Sequence, residues 1–243
     1  KLNFNEILNR NDLEYKILDF LKNFNYNINN TKSKKALYIY GENGIGKTQF
    51  IKQLLSANNY DIIYYDSIQQ RNKTIIDNIS NNIIGNHNVL SLFNSKPKNI
   101  VFVFDDIYSM NYNDKISLTN LIKLIKKKPQ KNNMYYPIIC INNLIEEKKI
   151  LDLIKISNFF KIESPTNDQI KIIIDKLMPD LFNYNETINK ILKTNIFNFL
   201  KNNLIKLNRL YNYYQNNLIT IKFINNYKTI NFDIHHNIKK ETQ

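Results

Sequence analysis

The sequence predicts an α/β chain: a parallel sheet with helices on both faces, followed by a small helical module. Three observations carry this. Short apolar runs ending in glycine, aspartate or asparagine alternate with segments whose apolar residues recur at helical spacing. A glycine-rich stretch, residues 41–48, joins one such run directly to a helical pattern. Beyond about residue 164 the strand pattern fades and only helical periodicity continues. Strands alternating with helices imply parallel pairing and two covering layers. The expected division is a sheet domain over 1–164 and a helical domain with a C-terminal extension over 165–243.

In chain order, Leu13, Ile17, Leu18, Leu21 and Phe24 mark a helix over 11–25, with Asn11 placed to cap it. A polar stretch leads to Ala36-Leu37-Tyr38-Ile39-Tyr40, a buried strand that stops at Gly41. The helix that follows from Lys47 puts Phe50, Ile51, Leu54 and Leu55 on one face. Asp61 to Tyr65 is a second strand and Arg71 to Ile84 a second helix. Asn99 to Phe104 is a third strand, ending at Asp105-Asp106. Leu118, Leu121, Ile122 and Ile125 mark a helix running into Lys126-Lys127-Lys128, and Pro137 to Ile141 is a fourth strand, ending at Asn142-Asn143. Ser164 to Gln169 reads as a turn and helix start, followed by helices over roughly 167–177, 186–193 and 195–217. Ile219 to Ile224 fits either a strand or irregular chain.

Composition sets outer bounds. The 243 residues are 43% hydrophobic and 23% charged, which suits a folded chain with one ordinary core and a smaller second one. The net charge of +13 and pI near 9.5 point toward nucleic acid or acidic protein surfaces. Codon drift in an A/T-rich genome is an equal explanation, because Asn, Ile and Lys dominate and only Arg10, Arg71 and Arg209 are arginines. Cys140 is the single cysteine, so no intrachain disulfide forms and a reducing, intracellular setting is expected. No apolar run reaches the roughly 20 residues that span a bilayer. Lys1 opens no signal-peptide pattern and is not a methionine, so the start reads as a fragment boundary. His87, His235 and His236 form no metal-ligand spacing.

The chemistry lies in Gly41-Glu42-Asn43-Gly44-Ile45-Gly46-Lys47-Thr48, a G-x-x-x-x-G-K-T phosphate loop. Backbone amides must curl closely round phosphate oxygens, which glycines permit, and the following helix points its positive end at the anion. Lys47 is placed to reach the β- and γ-phosphates, and the Thr48 hydroxyl to ligate magnesium. Three of the chain's four glycines lie in this loop, so chance is a poor explanation of the match. ATP with magnesium is the expected ligand. The run Ile100 to Asp106 has the form of a Walker B strand: Asp105 is the magnesium-linked carboxylate, and Asp106 is placed to activate water. Aspartate is one methylene shorter than the glutamate usual there. Asn142 and Asn143 end their strand beside the expected γ-phosphate, where an amide orients water.

With these pieces in order, the chain resembles the AAA+ ATPases, and within them the clamp loaders, most of all the large subunit of replication factor C. Gly41 to Thr48 matches the phosphate loop, and Asp66 to Lys73 looks like the family's segment after the second strand. Phe104 to Met110 resembles Walker B and its turn, and Tyr136 to Asn143 the sensor-1 strand, with Asn143 as sensor. Phe160 to Ile170 is similar to the approach to the lid. The resemblance covers roughly residues 35–207. It implies an AAA+ base and helical lid with ATP between them, Lys47, Asp106 and Asn143 in catalysis, and Thr48 and Asp105 at the metal. It also implies other AAA+ subunits, a sliding clamp and DNA held by phosphate contacts as partners, with Lys123, Lys126, Lys127 and Lys128 either facing DNA or forming a solvated helix end.

The departures are specific. Ile156 to Phe160 lacks the arginine that small clamp-loader subunits send into a neighbour's site, as the large subunit also does. Phe197 stands where the lid arginine is usual, with Arg209 further along. The collar domain is missing. These features suggest either a fragment or a reduced version from a large DNA virus, acting in the nucleus or a cytoplasmic viral factory. Two other readings stay open: a nucleotide-gated scaffold with little turnover, and another AAA+ DNA protein such as a helicase loader or initiator.

Overall fold

The computed structural model describes residues 3–24, 33–66, 99–107, 115–126, 135–143, 148–183 and 186–216. The expected helix over 71–84, most of the segment 66–73, residues 108–110, Lys127, Lys128, the three histidines and the region 219–224 lie outside them. The chain divides into two compact units, Asn9–Glu163 and a second made of Lys1–Leu8 with Ser164–Gln243.

In chain order the elements are α1 (Phe4–Ile7), α2 (Asn11–Lys22), β1 (Ala36–Tyr40), α3 (Lys47–Ala57), β2 (Tyr60–Tyr65), β3 (Asn99–Phe104) and α4 (Lys115–Lys126). There follow β4 (Ile138–Asn142), α5 (Lys148–Lys155), β5 (Ser157–Lys161), α6 (Asn167–Leu177), α7 (Glu186–Leu200) and α8 (Leu204–Gln215), with a 3-10 turn at Pro179–Phe182.

The first unit is a five-stranded, wholly parallel sheet in the order β2-β3-β4-β1-β5. Side-chain alternation assigns its two faces. Leu37, Ile39, Val101, Val103, Ile139 and Ile141 point to one side, where Ile17, Phe20 and Leu21 of α2 and Phe50, Ile51, Leu54 and Leu55 of α3 cover them. Ala36, Tyr38, Phe102, Phe104, Ile138 and Cys140 point to the other, under Leu118, Leu121 and Ile125 of α4 and Ile150 and Leu153 of α5. Strands apolar on both faces and helices apolar on one are what the sequence pattern requires of such a sandwich. This is the P-loop NTPase α/β fold.

Several elements differ from expectation, the short α1 among them. A fifth strand, β5, pairs with β1 at the sheet edge, and α5 precedes it. Asn11 is the first helical residue of α2 rather than its cap; Arg10 takes that position and makes no side-chain cap. In the second unit, one continuous α7 replaces the expected break near residue 194, and the break falls later, where Lys201 (φ 44°) and Asn202 (φ 59°) leave helical geometry. Asn203 then caps α8, its Oδ1 accepting from Ile205 N and Lys206 N. That unit has its own core of Ile170, Ile173, Ile174, Leu192, Ile196, Leu200, Leu207 and Leu210, with Ile7 and Leu8 packed on it. A reciprocal box between Thr166 and Gln169 starts α6.

Among the described residues, left-handed backbone outside glycine is carried mainly by asparagine: Asn9 (φ 53°), Asn59 (φ 58°) and Asn202, beside Lys201 and Asp106 (φ 54°).

Candidate functional site: a phosphate loop with a paired oxygen site

Parallel register brings the functional segments together. Tyr40 lies opposite Asn142 and Phe104 opposite Cys140, so the chain after β1, after β3 and after β4 leaves the sheet at the same carboxyl edge. Ligands of open α/β sheets bind at that edge.

The loop after β1 closes tightly. A Cβ on Gly41 would stand 2.4 Å from the carbonyl oxygen of Ile162 and 2.7 Å from Ile45 Cδ1, so only glycine fits. Gly44 (φ 82°) and Gly46 (φ 81°) are left-handed, and α3 begins directly after Gly46, which offers no side chain to cap it. The first amides of that helix are thus open to an anion. Glu42 and Asn43 carry exposed side chains, whereas Ile45 is buried in the core.

Lys47 is 7% exposed, and its Nζ donates to the carbonyls of Gly41 (2.9 Å) and Glu42 (2.7 Å) and to Asn143 Oδ1 (2.8 Å). All three ammonium protons are used. Phosphate oxygens would serve such an ammonium equally well as acceptors. Burial lowers the Lys47 pKa, and the charges of Asp105 and Asp106 act against that.

The Asp105 carboxylate is held at both oxygens. Oδ1 accepts from the Asp106 N–H at 2.9 Å, and Oδ2 accepts from Thr48 Oγ1 at 2.6 Å and from the Tyr64 hydroxyl at 2.7 Å. A hydroxyl and a carboxylate side by side are hard donors of the kind magnesium prefers. Neighbouring corners of an octahedron with 2.0–2.1 Å bonds lie about 2.9 Å apart, so the Thr48–Asp105 pair needs only a small widening to take such an ion. Among the described residues no group of three or more His, Cys, Asp or Glu is placed to hold a metal. A cation here would have two protein oxygens and fill its shell with water and phosphate, as magnesium commonly does.

Asp106 follows in a left-handed turn, and its charge reaches Lys47. Asn142 and Asn143 part company. Asn143 meets Lys47, whereas Asn142 is 1% exposed and its Nδ2 donates to the Tyr38 hydroxyl at 2.8 Å, tying β4 to β1. Of the lysines considered for DNA, Lys123 and Lys126 are exposed in the last turn of α4. In the helical unit, Phe197 packs on that unit's core and Arg209 is exposed on α8.

Two residues at this site escaped sequence reasoning. Arg10 is 6% exposed; its Nη2 donates to the Ile45 carbonyl at 2.6 Å and its guanidinium lies 5.5 Å from the Phe50 ring centre. It fastens the phosphate loop from behind, and burial lowers its pKa to about 10. Tyr64 supplies the third hydrogen bond to Asp105, and its ring carries Lys52 Nζ at 3.4 Å from the centroid. Burial first, and then the bond to Asp105, raises its pKa and keeps the hydroxyl a donor. Arginine scarcity was the one available pointer to Arg10; for Tyr64 there was only its place at a strand end.

No family model matches the chain. Over 179 residues it is 25% identical to a protein described as replication factor C large subunit, from Methanococcus aeolicus (strain ATCC BAA-1280 / DSM 17508 / OCM 812 / Nankai-3). That match covers 73% of this chain and 35% of the relative, so the chain spans about a third of the relative's length. Among solved structures, one described as the crystal structure of DNA replication initiation factor superposes with a TM-score of 0.44 and 17% identity. It covers 76% of this chain and 56% of that one, too loose a superposition to bear on function. Among the described residues no helix is long and apolar enough to cross a membrane.

Proposed function

We infer that this chain, AAA+ and clamp-loader-like in sequence, is an ATP-binding and ATP-hydrolysing subunit of an assembly that acts in DNA replication, placing a sliding clamp on primed DNA. The observation that carries the reading is the convergence of Lys47, Thr48, Asp105 and Asn143 at one edge of the sheet, within direct hydrogen-bond distance of one another in two linked pairs.

Each residue then has a defined task. The loop amides and the start of α3 bind phosphate oxygens, and the Lys47 ammonium exchanges the Gly41 and Glu42 carbonyls for them. Thr48 and Asp105 hold magnesium, which when bound neutralises charge on the terminal phosphates. The Asp106 carboxylate accepts a proton from the attacking water, and the Asn143 amide orients that water. With no arginine between Ile156 and Phe160, this chain sends none into a neighbour's site, while its own site takes the cation that completes the transition state from an adjacent AAA+ subunit. Turnover therefore depends on assembly. Lys123 and Lys126 suit phosphate contacts to DNA, and a replication role belongs inside the cell.

One observation favours a second reading, a module that holds ATP with little turnover: Asp106 is shorter than the usual glutamate and sits in a left-handed turn. Native mass spectrometry of the tagged chain recovered with ATP, followed by an ATPase assay of what co-purifies with and without primed DNA, tests both. Smaller AAA+ subunits and DNA-stimulated turnover are expected. Recovery of a nucleotide-bound chain without such partners overturns the loader reading. Partners without turnover support the holding module.

A further inference from the structure

The geometry points to Tyr64 as a positioning residue for the divalent cation: from β2 its hydroxyl holds the Asp105 carboxylate turned toward Thr48. This rests on the nucleotide-binding reading above and extends it to a residue outside the phosphate-loop and Walker B motifs.

Rotation about the last bond of an aspartate side chain is soft, so its hydrogen bonds decide where the two oxygens face. At Asp105, three such bonds come from described residues. The Asp106 N–H belongs to the next residue and moves with the same turn. The Thr48 hydroxyl belongs to α3 and must itself serve the cation. Of these three donors, Tyr64 is the one on a separate strand. β2 is paired with β3 in register, Tyr64 opposite Val103, and the Asp105 N–H donates to the Tyr65 carbonyl at 2.9 Å. The distance between Tyr64 and Asp105 is therefore set by the sheet rather than by the loop.

The ring is itself held. It packs against the α2–α3 face of the sheet, and the Lys52 ammonium lies over it at 3.4 Å. A phenol fixed at both face and edge gives the carboxylate a rigid, charge-assisted hydrogen bond. Hydrogen bonds to ligating groups commonly govern metal affinity by about 10- to 100-fold. In this chain the residue doing so is Tyr64, the penultimate residue of β2.

Tyr64→Phe removes the hydroxyl and keeps the ring under Lys52. The test is equilibrium binding of a fluorescent ATP analogue, first with magnesium varied and then in EDTA. The magnesium concentration for half-maximal binding is expected to rise about tenfold or more, while metal-free affinity stays within about twofold and the thermal midpoint is nearly unmoved. An unchanged magnesium requirement in the variant overturns the role of Tyr64, as does an equal loss with and without metal, which would mean general damage. A wild-type chain whose binding ignores magnesium overturns this proposal and the reading beneath it together. Wild-type dependence with an unaffected variant removes the Tyr64 role alone.

Discussion

Adding one methyl group at position 41 should both loosen the sheet unit and disable its phosphate loop. The Cβ of Gly41→Ala would stand 2.4 Å from Ile162 O and 2.7 Å from Ile45 Cδ1. Comfortable carbon contacts are about 3.5–4.0 Å, so the overlap approaches an ångström. Ile45 can give way by rotating its terminal methyl. Ile162 cannot do so easily, because its own N–H donates to the Tyr40 carbonyl at 2.8 Å and continues the β1–β5 pairing. The loop must therefore move. Overpacking of this kind destabilises by roughly 1–3 kcal/mol, and at about 2–4 °C per kcal/mol for a unit of this size the thermal midpoint should fall by roughly 2–12 °C. A shift near an ångström in groups that bind and position phosphate should lower turnover by about a hundredfold. Differential scanning calorimetry and fluorescent-analogue binding, with ATPase rates of the assembly, read these effects. A variant with wild-type midpoint and affinity would refute the claim that the Ile162 carbonyl sets the loop's path.

Three more outcomes follow from the same contacts. Lys47→Met should abolish nucleotide binding and also change how stability varies with pH. Because burial lowers the Lys47 pKa in the folded chain, the unfolded chain binds more protons between that value and the ordinary lysine pKa of about 10.4. Wild-type stability should thus gain with rising pH across that window relative to the variant, a difference read from urea melts over the alkaline range below the ordinary lysine pKa; parallel pH curves would contradict it. Asp105→Asn should raise the magnesium needed for nucleotide binding by about tenfold or more and leave affinity in EDTA nearly intact, whereas an equal loss in both would place Asp105 away from the cation. Arg10→Met retains bulk beside Phe50 but removes the charged donor to Ile45; it should destabilise the unit by about 1.5–3 kcal/mol in denaturant titration, and a change below about 0.5 kcal/mol would show the loop needs no such brace.

The parts legible from sequence were those where local pattern and tertiary demand agree. Ala36 to Tyr40 is apolar on both faces because β1 is an interior strand, paired with β4 on one side and β5 on the other, and its abrupt stop at Gly41 coincides with the loop. β5 was missed because it is an edge strand: Ser157 is buried, Phe159 is 52% exposed, and Ser-Asn-Phe-Phe-Lys shows no apolar alternation. α7 reads as two helices because Thr194 and Asn195 interrupt its apolar pattern, yet Leu192, Ile196 and Leu200 keep one buried stripe through them. Arg10 and Tyr64 reach the site from 35 and 41 residues away in sequence, distances over which periodicity carries no information. Asn143 was found by its position after a strand, and Asn142 shows the limit of that reasoning: strand pleat sends adjacent side chains to opposite sides, so only one of the two could face Lys47.

The left-handed asparagines suggest how such a chain survives mutational pressure. Glycine requires G/C-rich codons and asparagine A/T-rich ones, and Asn is among the residues that best tolerate positive φ. Asn9, Asn59 and Asn202 hold turns where glycine would serve, and there a side chain finds room. At Gly41 the obstacle is a neighbouring carbonyl rather than a torsion angle, and no codon bias can exchange that residue without moving the backbone. Gly44 and Gly46 keep left-handed turns of the phosphate loop, and Gly41 keeps the one place in it where a second main chain crowds the Cβ position. In a chain this poor in glycine, each glycine of the loop therefore answers to a backbone demand of its own.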